Sequence, residues 1–189
     1  MVTMVYNLIE KCRSYRRFDA SKTISRDTLV SFVKSARVTA SGANLQKLRY
    51  SLFNDKESMD KIFSCLKFAG YLTDWEGPLP EERPAAYIVI SSSKELDILT
   101  SIDLGIVSEA ITLSAAEVGI GSCMFRSYGK AEITSLIGEE NKPHMVIAFG
   151  YPAETVVLED SVNGNIKYYR DENDRHIVPK LPLDTLIIN

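Results

Sequence analysis

The sequence predicts a single α+β domain over residues 1–189, because it combines several helical patterns with few strand patterns. Hydrophobic residues make up 45% of the chain and charged residues 25%. These values describe a globular protein that is large enough for one substantial apolar core. No internal repeat or low-complexity tract is present in the sequence.

Three segments have local signals for amphipathic or short helices. Residues 25–38 place apolar side chains on one helical face and begin with the capping residue Ser25; these side chains are Leu29, Phe32, Val33 and Ala36. The same spacing follows Asp55, at Met59, Ile62, Phe63 and Leu66. A shorter helix is predicted over 130–137 and is ended by Gly138.

A longer helical segment covers 102–118, where the only charges are Asp103, Glu109 and Glu117. A helix that is apolar on nearly every side is expected to be buried all round. We therefore expect this helix to lie in the core or against a partner subunit.

Two short apolar runs, 85–91 and 144–152, predict strands that are buried on both faces. The second run stops at Gly150 and Pro152. The chain then becomes polar, so residues 152–189 are expected to form a carboxy-terminal arm with little core of its own. Such an arm has to pack on another surface, and we expect that surface to belong to a partner subunit.

Composition argues against several classes of function. The formal charge is −3 without a long basic block, so nucleic acid is not an expected partner. No apolar run reaches the ~20 residues that span a bilayer, and the amino terminus lacks a secretory signal. The odd set of Cys12, Cys65 and Cys123 fits a reducing cytoplasm. Neither these cysteines nor the two histidines have the spacing of a metal site.

The segment from Arg13 to Phe18 is the densest basic feature. In an extended or turning segment, alternate side chains share a face, so Ser14 and Arg16 can contact one ligand with Arg13 beside them. Guanidinium groups bind phosphate through paired hydrogen bonds, and serine adds a donor. The alternative is a solvated basic turn at the end of a first helix.

The segment Ser41–Gln46 follows the first strong helix and contains small residues that let the backbone approach a flat ligand. Asn44 and Gln46 each offer a donor and an acceptor, which suits the edge of a heterocycle. The alternative is a helix stop and loop.

A third candidate segment, with Gly121, Ser122 and Cys123, either presents backbone N–H groups to a ligand or turns tightly into a strand. Cys123 is expected to pack as a small hydrophobic residue, since no base is identified near it.

Tyr71 and Trp75 belong to a loop that combines aromatic residues with Gly and Pro, between a helix and a buried strand. A loop of this kind either covers a site and selects substrates or packs its aromatic residues over the edge of the core. The sequence leaves both open.

Read in order, these segments resemble the motifs of the nitroreductase family. Residues 13–18 resemble its RSxRxF signature, and 41–46 resemble PSxxNxQPW. Residues 102–123 resemble the long core helix that ends in a GxGSC-type turn, and 146–152 resemble the closing strand. The resemblance implies a three-layer α/β/α sandwich with a mostly antiparallel sheet, a homodimer, and bound FMN.

Carried over position by position, the resemblance assigns flavin contacts to three groups of residues. Arg13, Ser14 and Arg16 would hold the phosphate and the polar flavin edge. The partner subunit would add Ser41, Gly42, Ala43 and Asn44, with Gln46 close by. The turn at Gly121, Ser122 and Cys123 would face the reactive ring, and Lys180 would lend a cation to the phosphate.

The family implies hydride transfer from NAD(P)H through FMN to a small electrophile such as a nitroaromatic or quinone. The protein then supplies binding and electrostatics rather than an acid or base, and no catalytic side chain is assigned. Tyr71 and Trp75 are candidate substrate contacts. Two alternatives are a flavin- or small-molecule-binding protein with little turnover, and a flavin enzyme of another reaction type on the same fold.

Overall fold

A computed structural model describes residues 3–188 of the chain. Its helices are α1 Met4–Lys11, α2 Arg26–Arg37, α3 Lys56–Cys65, α4 Ile98–Glu117, α5 Lys130–Ile137 and α6 Leu183–Leu186. Its strands are β1 Arg49–Phe53, β2 Ala86–Ser92, β3 Gly121–Phe125, β4 Lys142–Gly150, β5 Val156–Asp160, β6 Tyr169–Arg170 and β7 His176–Lys180.

Four strands form the main sheet in the order β1-β2-β4-β3, and every neighbouring pair is antiparallel. Alternate residues of β2 enter two different apolar clusters, because side chains along a strand point to opposite faces. Ile88 packs in a cluster with α2 and α4, whereas Val89 packs in a cluster with α3 and α5. The α+β class with an antiparallel sheet is confirmed.

The local helix signals are also confirmed. Ser25 accepts a hydrogen bond from the Thr28 amide at 3.1 Å, and Asp55 accepts one from the Ser58 amide at 2.9 Å. Helix α5 ends at Gly138, whose φ of 93° lies in the left-handed region that favours glycine.

Within one chain, helix α4 is buried on one face, so the predicted burial of its other face against a partner subunit stays a prediction. It begins at Ile98, four residues earlier than predicted, where the Asp97 side chain caps it. Its buried face packs against the sheet and α2, but the opposite face exposes an apolar strip of Ile98, Leu99, Ile102 and Ile106. The helix is long and apolar enough to cross a membrane, yet its buried face makes it a core helix of this fold.

The carboxy-terminal arm contains three strands that its polar sequence did not indicate. It folds into a second sheet in the order β5-β7-β6, with β5 parallel and β6 antiparallel to β7. His176 and Ile177 in β7 are buried, so this strand packs on its own chain. Residues 162–167 and the segment after β7 are largely exposed, with Leu183, Leu186 and Ile187 open to solvent.

Candidate functional site

The basic segment predicted from the sequence runs along the edge of β3. Ser14 and Ser122 form a parallel bridge, and the Tyr15 amide donates a hydrogen bond to the Ser122 carbonyl at 2.9 Å. At the end of the segment, the amides of Phe18 and Asp19 donate to the carbonyls of Glu82 and Tyr151. The structure therefore brings the first and third predicted motifs together, in an extended segment instead of a solvated turn.

Arg16 is buried in the middle of this segment. Its Nη1 atom donates hydrogen bonds to the Ser14 carbonyl at 3.0 Å and to Nε2 of His176 at 2.8 Å. The ring of Tyr168 lies 4.5 Å from the guanidinium carbon, in cation–π geometry. A buried arginine held at a fixed position in this way presents its remaining N–H groups to a ligand with little loss of conformational entropy.

His176 is neutral at physiological pH. Burial, followed by the charge of Arg16, lowers the pKa of His176 to about 4. A neutral ring lets Nε2 accept the hydrogen bond from Arg16, which places the ring proton on Nδ1. The Nδ1 atom is buried and has no hydrogen-bond partner among residues 3–188.

Glu154 fixes the backbone of the same segment from the start of the arm. One carboxylate oxygen accepts hydrogen bonds from the amides of Arg16 and Arg17, the latter at 3.1 Å. The other oxygen accepts one from Arg170 at 2.7 Å. The side chain of Glu154 is only 1% exposed, so this carboxylate stabilises the extended conformation from inside the protein.

Arg13 and Ser14 lie differently from Arg16. Arg13 folds back and donates a hydrogen bond to the Ile9 carbonyl of α1, while its Nε atom is buried without a hydrogen-bond partner in the described part of the chain. Ser14 is exposed. Of the three predicted phosphate contacts, Arg16 alone belongs to the buried network.

The predicted turn at Gly121, Ser122 and Cys123 is a strand in the structure, because these residues pair with Gly150, Phe149 and Ala148 of β4. The turn lies earlier, at Gly119, which has a φ of 75°. A side chain at Gly121 would place its Cβ 2.7 Å from the Tyr15 ring, so glycine is required for close packing. Burial raises the pKa of the Cys123 thiol to about 11, which agrees with a packing role.

A cavity of 300 Å³ lies beside Arg16 and Cys123, at the end of β3. Its walls include Lys67, Arg126 and Tyr168, which no motif in the sequence indicated. The Lys67 amide donates a hydrogen bond to the Ser127 carbonyl at 3.0 Å, which brings the two chain segments together. This cavity is the candidate site, and its charged side chains, Arg16, Lys67 and Arg126, are all basic.

The second predicted motif, Ser41–Gln46, forms a strained loop elsewhere on the chain. Ala43, Asn44 and Gln46 have φ values between 48° and 55°, a region that non-glycine residues rarely adopt. The buried carboxylate of Asp103 in α4 accepts hydrogen bonds from Ser41 Oγ at 2.7 Å and from the Gly42 amide at 2.8 Å. Asp103 therefore holds the loop in place.

One chain does not bring the two motifs together. The loop contacts α4 at Asp103, whereas Cys12, next to the basic segment, contacts Thr112. These helix positions are nine residues apart, or about 14 Å along the axis. A ligand that contacts both motifs over a short distance has to take one of them from another copy of the chain.

Tyr71, Trp75 and Lys180, the remaining predicted contacts, do not line the basic cavity. Tyr71 packs against Tyr168 at a tilted angle, with ring centroids 4.9 Å apart. Trp75 lies outside the cavity walls and packs edge-on against Phe68, with Arg17 and Arg170 over its ring. Lys180 is exposed at the far end of β7 from His176, about 13 Å along the strand.

Comparison with known proteins decides the family. A family model described as "Putative TM nitroreductase" matches residues 4–178, nearly the whole chain. The chain belongs to this nitroreductase family. No curated protein matches the sequence.

Solved nitroreductase structures share the fold at low sequence identity. A nitroreductase family protein from Streptococcus pneumoniae TIGR4 matches with a TM-score of 0.69 and 14% identity, over 98% of this chain and 99% of the other. A nitroreductase with bound FMN from Bacteroides fragilis NCTC 9343 matches with a TM-score of 0.63 and 22% identity, over 87% of this chain and 97% of the other. An FMN-dependent nitroreductase from Clostridium difficile R20291 matches with a TM-score of 0.63 and 22% identity, over 83% of this chain and 91% of the other. These likenesses establish the nitroreductase fold.

Proposed function

We propose that this nitroreductase-family protein is an FMN-dependent oxidoreductase that works as a cytoplasmic homodimer. The observation that carries the proposal is the basic cavity beside Arg16, in a chain whose family includes FMN-dependent neighbours. Bound FMN would accept hydride from NAD(P)H and pass it to a small electrophile such as a nitroaromatic or quinone. The free cysteines of the chain support a reducing compartment.

The residues around the cavity suit an anionic, planar cofactor. The buried guanidinium of Arg16 offers charge-assisted hydrogen bonds to a phosphate or to the polar edge of a reduced flavin. Arg13 has a buried Nε–H without a partner among residues 3–188, and Ser14 adds an exposed hydroxyl. We propose that these three residues and the nearby strand residues Gly121, Ser122 and Cys123 form one half of the flavin site. Lys180 would contribute to it as an outlying cation.

We propose that the loop of Ser41, Gly42, Ala43, Asn44 and Gln46 forms the other half and comes from the partner subunit. The separation of about 14 Å along α4 supports this arrangement. The exposed apolar strip of α4 supports it as well, since such a strip is typical of a surface that pairs with another chain. The exposed segment after β7 would pack on the same partner.

The homodimer is tested by sedimentation. An obligate dimer of this kind buries more than roughly 2,000 Å², so we expect only dimer at micromolar concentration. Replacing Ile102 by Glu would put a charge in the exposed strip and should dissociate the dimer, whereas Val30→Glu, on the exposed face of α2, should not. A folded and active monomer would contradict the proposal.

The flavin site is tested by titration of the purified protein with FMN. Replacing Arg13 and Arg16 together by Ala should weaken FMN binding at least ~100-fold, because each charge-assisted bond contributes about 1.5–3 kcal/mol. Because Arg16 is buried, Arg16→Lys provides a milder variant, and Arg26→Ala on the surface of α2 is the control. An unchanged dissociation constant in both Arg16 variants would show that FMN binds elsewhere.

One observation favours a second function, a flavin-binding protein with little turnover. Tyr168 lies over Arg16 and forms part of the cavity wall, which narrows access to the guanidinium. Steady oxidation of NAD(P)H with an added acceptor supports the enzyme. Tight FMN binding without reduction by NADH or NADPH supports the binding protein, and reduction that serves only another class of acceptor supports a different flavin reaction.

A further inference from the structure

The basic cavity holds more positive charge than one buried arginine provides. Its walls contain Arg16, Lys67 and Arg126 but no Asp or Glu. The whole chain has 25 acidic against 22 basic residues, so this local excess opposes the overall charge. Placing like charges around one cavity is unfavourable unless a ligand of opposite charge enters it.

The three cationic side chains of the cavity differ in their exposure to solvent. Arg16 is buried and already bonded to Ser14 and His176, whereas Lys67 and Arg126 are exposed. The pairing of Leu66 with Tyr128 fixes the backbones that carry these two exposed side chains. No carboxylate of residues 3–188 forms an ion pair with Lys67 or Arg126. Both charges are therefore available at the mouth.

The surface between them indicates what kind of molecule fits. Met124 lies in β3 and Arg126 follows directly after the strand, and both side chains are exposed and line the cavity. Met124 is 38% exposed, which places an adaptable apolar surface beside the guanidinium. A planar apolar ring that carries one negative group matches this pair of contacts.

We propose that Lys67 and Arg126 form an anion subsite that selects acceptors with a carboxylate or sulfonate on a planar ring. This inference rests on the proposed function, since the acceptor has to reach the same cavity as the flavin. For a nitro group, the first two-electron reduction consumes one NAD(P)H and one proton and yields a nitroso group, NAD(P)+ and water. The cations orient the ring and take no part in the electron transfer.

The experiment compares two acceptors that differ in charge and little in shape, 4-nitrobenzoate and 4-nitrobenzamide, with the FMN-loaded protein. The measured quantity is the ratio of their kcat/KM values. The double variant Lys67→Gln, Arg126→Gln should lower this ratio roughly three- to tenfold, as expected for two exposed charge contacts. The control Lys34→Gln, Arg26→Gln removes the same charge from α2 and should leave the ratio unchanged.

Ionic strength gives an independent check. Raising it from about 0.02 M to about 0.5 M should lower the ratio in the native protein and have little effect in the double variant, because salt screens exposed charges. A ratio that the double variant does not change would overturn the anion subsite. A changed KM for NADH or NADPH with an unchanged ratio would show that the cations bind the dinucleotide, and would overturn the assignment to the acceptor.

A binding measurement separates this inference from the proposed function. Calorimetry with benzoate and benzamide, which cannot be reduced, requires neither turnover nor FMN. We expect benzoate to bind more tightly than benzamide, and the double variant to remove the difference. If the protein neither binds FMN nor reduces 4-nitrobenzamide, the proposed function fails, while benzoate binding still decides whether the anion subsite exists.

Discussion

The two halves of the proposed flavin site are built in different ways. The segment from Arg13 to Phe18 is extended, pairs with β3 and with Pro152 just after β4, and has its backbone fixed by the buried carboxylate of Glu154. The Ser41–Gln46 loop is largely exposed, includes three non-glycine residues with positive φ, and is anchored mainly by Asp103.

This difference teaches that the first half is held by a buried network, whereas the second half is held by few contacts within its own chain. A buried network with several hydrogen bonds keeps its shape without a ligand. A strained, exposed loop keeps its conformation only where surrounding contacts hold it. We therefore expect mutations in the buried network of the first half to cost more folding stability than mutations in the second half.

The largest effect is expected at Glu154. Replacing it by Ala leaves Arg170 without its buried partner, since the side chain of Arg170 is only 13% exposed. Breaking such a pair costs about 3–5 kcal/mol, and urea unfolding measures it. Asp174→Ala is the matched control, because Asp174 contacts Arg17 and Arg170 from the surface and should cost less than about 1 kcal/mol. An equal decrease in the free energy of unfolding in both variants would show that Glu154 does not organise the first half.

The next effect is expected at Asp103, in the second half. Asp103→Ala removes the acceptor for Ser41 Oγ and for the Gly42 amide, which should cost about 1.5–3 kcal/mol. FMN affinity should fall as well, because the loop loses its anchor. Glu57→Ala, an exposed carboxylate on α3, is the control for urea unfolding and FMN titration. A stable variant with unaltered FMN affinity would separate this loop from the flavin.

Local signals explain which parts of the fold were predictable from the sequence. Ser25, Asp55 and Gly138 mark helix ends because caps act within three residues, and the apolar run of β2 marks a buried strand. The exposed face of α4 was not predictable, since composition alone does not show which side of an apolar helix meets the core. The sheet formed by β5, β6 and β7 was missed because its strands lie in a polar part of the chain.

The candidate site was predictable only where it is local in sequence. Arg16 stood out in a basic segment, and Ser41 and Gly42 stood out after a helix. Its partners Glu154 and His176 lie 138 and 160 residues away along the chain, and Lys67 reaches Arg126 only because distant segments pair. No short sequence pattern contains such contacts, because they form only when distant segments come together in the folded chain.

A smaller effect is expected from pH, and only in the first half. His176 has a pKa of about 4 in the folded protein, against an ordinary value of 6.5. The unfolded chain therefore binds the proton first, and stability falls as pH drops below about 6.5 and levels off below about 4. Between pH 7 and pH 5 this amounts to about 1–2 kcal/mol.

The pH effect is measured by urea unfolding at several pH values. His176→Gln should flatten the dependence between pH 7 and pH 5. Burial also lowers the pKa of His144, so His144→Gln is the variant that removes the second histidine and isolates the contribution of His176. An unchanged slope in His176→Gln would mean that protonation does not disturb the contact with Arg16.

The smallest effect is expected from backbone strain in the second half. Ala43 has a φ of 49°, where a side chain costs roughly 1 kcal/mol and glycine has no such cost. Ala43→Gly relieves this strain but adds about 0.4–1 kcal/mol of unfolded-state entropy, so its net effect on stability should lie between zero and a slight gain. Ala40→Gly, in the same exposed segment with a negative φ, adds the entropy without any relief and should lower stability. Urea unfolding should thus separate the two variants by about 1 kcal/mol, and equal losses would show that the loop is not strained at Ala43 in solution.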